Sequence, residues 1–197
     1  YVPFIHKDRN PLQLLIGQLR YAVHTLSFDE SNSWQKKWAL YTASQYSAKI
    51  KHKLYYTAPL RISWLANKDT IPSRLGLTIL PGRQDFNRDL QKDLLFLQNE
   101  HITHVVCLLT DDEFQHYGVE SLIQKYAEYS FQVYRLPILD HGVCSLEEMN
   151  HLVNWLHHEL KQGSHILVHC VGGLGRSGMV GACYLKSKGL STQEAIQ

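Results

Sequence analysis

The sequence predicts a layered α/β domain, a mostly parallel central sheet flanked by helices, preceded by an N-terminal helical extension. Three observations predict it. Short apolar runs alternate with amphipathic stretches from Ala58 onward, the composition changes near residue 57, and 44% of the 197 residues are hydrophobic, enough to fill the core of one or two domains. No internal repeat or low-complexity tract interrupts the pattern.

Residues 1–57 are rich in Trp, Tyr, Gln, Ser and Lys and carry helix periodicity without a strand signal. Leu12, Leu15, Ile16, Leu19, Val23 and Leu26 recur at i, i+3, i+4 and i+7, with Pro11 near the first turn, where a missing N–H costs little. A second helix is predicted to start at Ser31 to Ser33, with Trp34, Trp38, Tyr41, Gln45 and Ala48 on one face. The two read as a helical hairpin.

In the second part, residues 58–197, strands are predicted at Leu75–Leu80, His104–Thr110, Gln132–Leu136 and His165–His169. Helices are predicted at Asn87–Asn99, Val119–Tyr129, Leu146–Leu160 and Ser177–Lys188. Gly163 closes the third of these, and Gly189 follows the fourth as a C-cap. Ser145 with Glu148 forms a capping-box pattern, and so does Ser191-Thr192-Gln193-Glu194, so a further helix begins there and is cut short at Gln197.

Twenty Lys and Arg against 18 Asp and Glu leave a formal charge of +2, which gives no general attraction to nucleic acid or to an anionic membrane. Any anion must therefore be met by a local device. No apolar run approaches the roughly 18 to 20 residues that cross a bilayer. Cys107, Cys144, Cys170 and Cys183 form no CxxC pair and no secreted disulfide framework, so a reducing, cytoplasmic compartment is expected, with the nucleus as the other that fits. The start, Tyr1 to Asp8, carries neither a signal-peptide nor a transit-peptide pattern, and it lacks an initiator Met, as a trimmed chain would.

One stretch carries chemistry: His165-Ile-Leu-Val-His-Cys170-Val-Gly-Gly-Leu-Gly-Arg176-Ser177-Gly178, an apolar strand leading through a glycine-rich loop into a helix. Gly172, Gly173 and Gly175 let the backbone turn tightly and aim N–H groups inward, and the helix opening near Arg176 adds its orphan donors and dipole. The result is an anion cradle of phosphate size, formed by Val171, Gly172, Gly173, Leu174, Gly175 and Arg176. Cys170 sits at the strand end, where those N–H groups and the Arg176 charge stabilise a thiolate. The planar fork of Arg176 suits two phosphate oxygens, which a Lys point charge would not.

This arrangement resembles the Cys-x5-Arg signature loop of the protein tyrosine and dual-specificity phosphatases. The resemblance implies their fold and a two-step transfer in which the Cys170 thiolate attacks phosphorus, a cysteinyl-phosphate forms, and water hydrolyses it. Ser177 matches the family's Ser/Thr that eases departure of the sulfur. His169 matches the family's His, which supports the loop, and a packed, hydrogen-bonded role without proton transfer is favoured for it. The leaving oxygen needs a proton, and Asp140, in Leu136-Pro137-Ile138-Leu139-Asp140-His141-Gly142, lies on the loop where the dual-specificity family places its general acid. The chemistry implied needs no metal or other cofactor.

Three further stretches are similar to the cyclin-dependent-kinase-associated phosphatases: Pro59-Leu-Arg-Ile-Ser-Trp-Leu65, Leu75-Gly-Leu-Thr-Ile-Leu-Pro-Gly82 and Asn87-Arg-Asp-Leu-Gln-Lys-Asp93. That similarity implies a phosphorylated protein as partner, with phosphothreonine of an activated kinase as the substrate. The loop interior carries no Lys, whereas polyphosphorylated inositol lipids call for extra cations, and no Tyr-bearing recognition loop deepens the pocket. Phosphothreonine and phosphoserine should therefore be accepted alongside phosphotyrosine. The alternatives are a phosphoprotein-binding pseudophosphatase, which the joint presence of Cys170, Arg176 and Asp140 disfavours, or a phosphatase of inositol lipids or RNA 5′ phosphates.

Twelve histidines raise a metal reading, with His101 and His104, His157 and His158, and His165 and His169 as pairs. His165 and His169 would stand roughly 13 Å apart along a strand. Solvated surface histidines are the expected account. Cys107 reads as a core residue, its alternative role being to approach Cys170 and trap its oxidised form as a reversible disulfide.

Overall fold

Five short strands make one sheet in the order β1-β2-β5-β3-β4. They are β1 (Ser63–Trp64), β2 (Leu75–Thr78), β3 (His104–Cys107), β4 (Gln132–Arg135) and β5 (Ile166–His169). β1 runs antiparallel to β2, and the remaining pairs are parallel. The helices are α1 (Leu90–Asn99), α2 (Asp111–His116), α3 (Leu122–Glu128), α4 (Leu146–Lys161), α5 (Gly175–Ser187) and α6 (Thr192–Ile196). This computed structural model describes residues 59–65 and 73–196, with helical residues 37, 39–45 and 47 before them. Chain contacts divide it into two units, residues 1–58 and 59–197. The predicted helix at residues 12–26, and the hairpin it would form, lie outside the described residues.

The layers follow from the alternation of side chains along each strand. Val105, Cys107 and Leu167 face one side, where Leu94 and Leu97 of α1, Phe114 of α2 and Leu122 and Tyr126 of α3 cover them. Val106, Ile166 and Val168 face the other, against Met149, Leu152, Val153, Leu156 and Leu160 of α4 and Val180 and Tyr184 of α5. Apolar residues at helical spacing on α4 and α5 bury these faces, and each fully buried Leu, Ile or Val stabilises the fold by about 1.5–3 kcal/mol.

Register brings the carboxyl ends together. Thr78 pairs with His169 and Cys107 pairs with His169, so β2, β5 and β3 end side by side. In an open parallel sheet that edge is where ligands bind. The predicted strands Leu75–Leu80 and His104–Thr110 stop short of their expected ends because the neighbouring chain turns away at Cys170. The Leu80 N–H then bonds to the Val171 carbonyl at 3.1 Å instead of continuing a ladder.

Helix ends follow their capping chemistry. Ser145 and Glu148 form the expected box at the start of α4, and Ser191 with Glu194 does so ahead of α6. Gly163 and Gly189 stand at φ 89° and 93° just past helix ends. α1 begins at Leu90 rather than Asn87, because Asn87 takes a left-handed conformation (φ 49°) after a 3-10 turn over Gln84–Phe86, and Asp89 caps the helix. α3 begins at Leu122 rather than Val119. β1 and α2 have no counterpart among the predicted elements.

Candidate active site

The sheet edge opens into a pocket of about 460 Å³ lined by Arg83, Asp140, His141, Gly142, Cys170, Val171, Gly172, Gly175, Arg176 and Met179. A larger cavity of about 680 Å³, whose lining includes Arg88, Asp89, Lys125 and Tyr129, contains no cysteine. The smaller pocket thus joins Cys170, Arg176 and Asp140, three residues separated by up to 36 positions in the chain.

Cys170 is buried at the base of the cradle, one residue beyond β5. The Gly173 N–H points at its sulfur at 3.2 Å. Burial alone would raise the thiol pKa, but the Ser177 hydroxyl and N–H, the Gly173 N–H and the Arg176 charge outweigh it and hold the value below that of an ordinary thiol. Ser177 is fully buried, and its hydroxyl favours the thiolate form of Cys170.

Gly173 is the glycine the loop cannot replace. Its φ is 72°, and a Cβ there would lie 2.7 Å from the carbonyl carbon and oxygen of Thr78. Gly172 and Gly175 would each place a Cβ in open space, so of the three glycines expected to shape the turn only Gly173 is sterically required.

Arg176 is nearly inaccessible, and its position is set by a residue the sequence reading did not single out. Glu113 accepts from Nη1 and from Nη2, both at 2.7 Å, and Nη1 also donates to the Ile138 carbonyl at 2.8 Å. The bonds to Glu113 raise the pKa of Arg176 further, and although burial would raise that of Glu113, Arg176 and Thr110 hold it below the usual carboxylate value. The Nη1–Nη2 edge of the guanidinium thus faces Glu113, and the Nε–Nη2 edge is the fork left open to an anion. Nε, buried and unpartnered among the described residues, remains to donate toward an anion, together with the second hydrogen of Nη2. Thr110-Asp111-Asp112-Glu113 has the spacing of a capping box, and that pattern was the available signal for both α2 and Glu113.

Arg83 fixes the other end of the loop. Its Nη1 donates to the Val171 carbonyl at 3.0 Å, Asp85 holds Nε and Nη2, and the guanidinium lies over Phe86 at 3.8 Å and Tyr117 at 5.1 Å. A buried pair supports the preceding turn: Arg88 bonds to Asp93, whose Oδ2 also accepts the Gly82 N–H at 2.9 Å.

Asp140 stands on a turn closed by the Gly142 N–H on the Leu139 carbonyl (2.8 Å), with His141 in the left-handed region at φ 58°. Its Oδ1 lies 3.4 Å from Arg176 Nη2, and the side chain is 65% exposed, so it faces both the cradle and solvent. Helix capping falls to Ser145, which leaves Asp140 unneeded for it.

His169 is fully buried. A carbonyl can only accept, so Nδ1–H donates to the Cys170 carbonyl at 3.2 Å and Nε2 accepts from Tyr126 Oη at 3.0 Å. Desolvation pushes its pKa down to about 4, so the ring is neutral near neutral pH and ties the strand end to α3 through its two nitrogens. Cys107 lies on the face of the sheet opposite Cys170, in the core among Val105 and Leu109, which overturns its alternative role as a disulfide partner. Burial pushes its thiol up to about 11. His104 is also corrected: it is buried, bonded to Thr103 Oγ1 at 2.8 Å and 3.4 Å from Glu159, and not a solvated surface group. No cluster of His, Cys, Asp and Glu suited to a metal ion occurs among the described residues, and no helix among them is long and apolar enough to cross a membrane.

The family model of cyclin-dependent kinase inhibitor 3 (CDKN3) matches residues 43–196. Cyclin-dependent kinase inhibitor 3 of Rattus norvegicus is 36% identical over 143 residues, covering 70% of this chain and 68% of the relative. That of Homo sapiens is 34% identical with the same coverage. Among solved structures, a kinase associated phosphatase with serine replacing its catalytic-site cysteine has a TM-score of 0.66 at 31% identity, covering 70% of this chain and 80% of that one. Tk-PTP in its active form has a TM-score of 0.53 at 28% identity, over 63% of this chain and 76% of that one. The fold, the Cys-x5-Arg cradle and these likenesses agree: the chain belongs to the cyclin-dependent kinase inhibitor 3 family and is a cysteine-dependent, dual-specificity protein phosphatase.

Proposed function

We propose that Cys170 is the nucleophile, Arg176 and the loop amides the phosphate clamp, Asp140 the general acid and Ser177 the donor to the departing sulfur. The observation that carries this reading is the convergence on one sulfur of the Gly173 and Ser177 amides, the Ser177 hydroxyl and the Arg176 charge. In the first step the thiolate forms an S–P bond while the ester P–O bond breaks, and Asp140 gives its proton to the leaving oxygen. In the second, water attacks phosphorus, its proton passes to the Asp140 carboxylate, and the S–P bond breaks. The thiolate is then restored under the Ser177 hydroxyl. Arg176 enters both steps already aimed, because Glu113 and the Ile138 carbonyl fix its guanidinium.

The pocket is open and carries no free Lys at its lining, which supports phosphothreonine, phosphoserine and phosphotyrosine of proteins as substrates over polyphosphorylated lipids. The kinase named in the family's description supports a phosphorylated kinase as the partner. A reducing compartment, cytoplasmic or nuclear, keeps such a thiolate competent.

The deciding experiment is Cys170→Ser. Phosphopeptide should still bind while turnover disappears, and residual turnover at the wild-type rate would exclude Cys170 as the nucleophile.

A further inference from the structure

Three exposed apolar residues adjoin the residues that line the cradle, interspersed with the exposed Asp140 and His141. Leu139, Val143 and Leu174 are 73%, 78% and 83% exposed, among the most exposed large hydrophobic side chains of the described residues. Each is the chain neighbour of a residue that lines the pocket: Leu139 of Asp140, Val143 of Gly142 and Leu174 of Gly175. No other part of the described surface concentrates exposed apolar groups in this way next to a site with chemistry. Scattered exposed leucines need no explanation, whereas three beside one pocket do.

The charges nearby do not compete for the role. Besides Arg176 the basic residues of the lining are Arg83, held by Asp85 and the Val171 carbonyl, and His141, whose Nε2 stands 3.7 Å from Asp140 Oδ2. A substrate with acidic residues beside its phosphate thus meets no unpaired cation at the lining. A substrate with apolar residues there has three side chains to cover.

We infer that Leu139, Val143 and Leu174 form a docking rim for a protein segment with apolar side chains within two positions of the phosphorylated residue. The inference rests on the phosphatase reading, which fixes where the phosphorylated side chain enters. Once its phosphate is in the cradle, residues one and two positions away lie within about 3.5 to 7 Å along an extended chain, close enough to meet residues that adjoin the lining. The rim is thus continuous with the catalytic pocket, and the occupant that covers it is the segment already anchored there.

Two sets of phosphopeptides test this, alike in phosphoresidue and length, one with Leu or Val and the other with Asp or Ser at the flanking positions. The wild-type chain should favour the apolar set by about tenfold in kcat/KM, and the preference should survive added salt, since burial of apolar surface is not screened. The exposed substitutions Leu139→Ser and Val143→Ser together should remove most of that preference while leaving hydrolysis of a small aryl phosphate unchanged. Equal kcat/KM for the two peptide sets, with aryl phosphate turnover intact, overturns the rim and leaves the phosphatase reading standing. Absence of aryl phosphate turnover in the wild type overturns both. Binding of phosphatidylcholine/phosphatidylserine vesicles or self-association that Leu139→Ser and Val143→Ser abolish, without any peptide preference, assigns the rim to a different occupant and overturns the proposal.

Discussion

Glu113 holds Arg176 through both carboxylate oxygens, Oε1 on Nη2 and Oε2 on Nη1, each at 2.7 Å. The same Oε2 accepts the Thr110 N–H at 2.9 Å. One carboxylate therefore starts α2 and aims the guanidinium, which couples the folding of a six-residue helix to the geometry of phosphate binding.

Replacing Glu113 should injure catalysis without touching a reacting atom. Glu113→Ala is expected to lower kcat/KM by roughly a hundredfold through misplacement of Arg176. Glu113→Gln, which keeps one carbonyl acceptor, should fall between that variant and wild type. Steady-state kinetics on a small aryl phosphate checks this, alongside thermal unfolding. A loss of about 1 kcal/mol in stability is expected from the cap alone, and a kinetic loss no larger than that stability change would assign Glu113 a purely structural role.

Removing the Asp140 carboxyl should mainly affect the chemical step. Asp140→Ala is expected to lower kcat far more than it changes KM, and to flatten the basic limb of the pH profile. The effect should be greatest for alkyl phosphates, whose leaving oxygen needs the proton most. An alkyl phosphate turned over at the wild-type kcat would show that another group supplies the proton.

The lowered thiol pKa of Cys170 has a direct readout in alkylation. Iodoacetamide should inactivate the wild type with a midpoint below the free-thiol value of about 8.5. Ser177→Ala removes a hydroxyl that favours the thiolate, so its midpoint should move upward. It should also slow hydrolysis of the cysteinyl-phosphate, giving a burst of leaving group followed by a slower steady state.

His169 gives the fold its own pH dependence. Its folded pKa, about 4, lies below the unfolded value of 6.5, so between them the unfolded chain binds a proton that the folded chain refuses. Stability contributed by the neutral ring is complete above that window and is lost as pH falls through it, by up to roughly 3 kcal/mol. Urea midpoints measured at pH 7 and pH 5 should show the start of this decline. His169→Gln should lack the slope in that range even where its stability at pH 7 is lower.

Much of the site could be read along the chain because its parts are local. Cys170, the loop and Arg176 lie within seven consecutive residues, and their strand-loop-helix setting fixes how they fold. Asp140 could be read from its need for a loop position and from Ser145 taking over the capping of α4. Glu113 could not be placed, since what matters is its contact with a side chain 63 positions away. The opposite facing of Cys107 and Cys170 follows from strand parity once β3 and β5 are paired, but the pairing itself is long-range. Strand ends were overestimated for a related reason: an apolar residue such as Leu80 is buried whether its N–H joins a ladder or, as here, turns to the phosphate loop.

The two carbonyls that open the phosphate loop are already occupied, Cys170 by the Nδ1–H of His169 and Val171 by the Leu80 N–H and Arg83. What the cradle turns toward its contents is therefore a set of N–H donors, and these bind the PO3 group with little regard for what it is attached to. Inorganic phosphate presents the same oxygens as the ester it came from. Inorganic phosphate is therefore expected to act as a competitive inhibitor, since its release and the entry of the next substrate would draw on the same few donors.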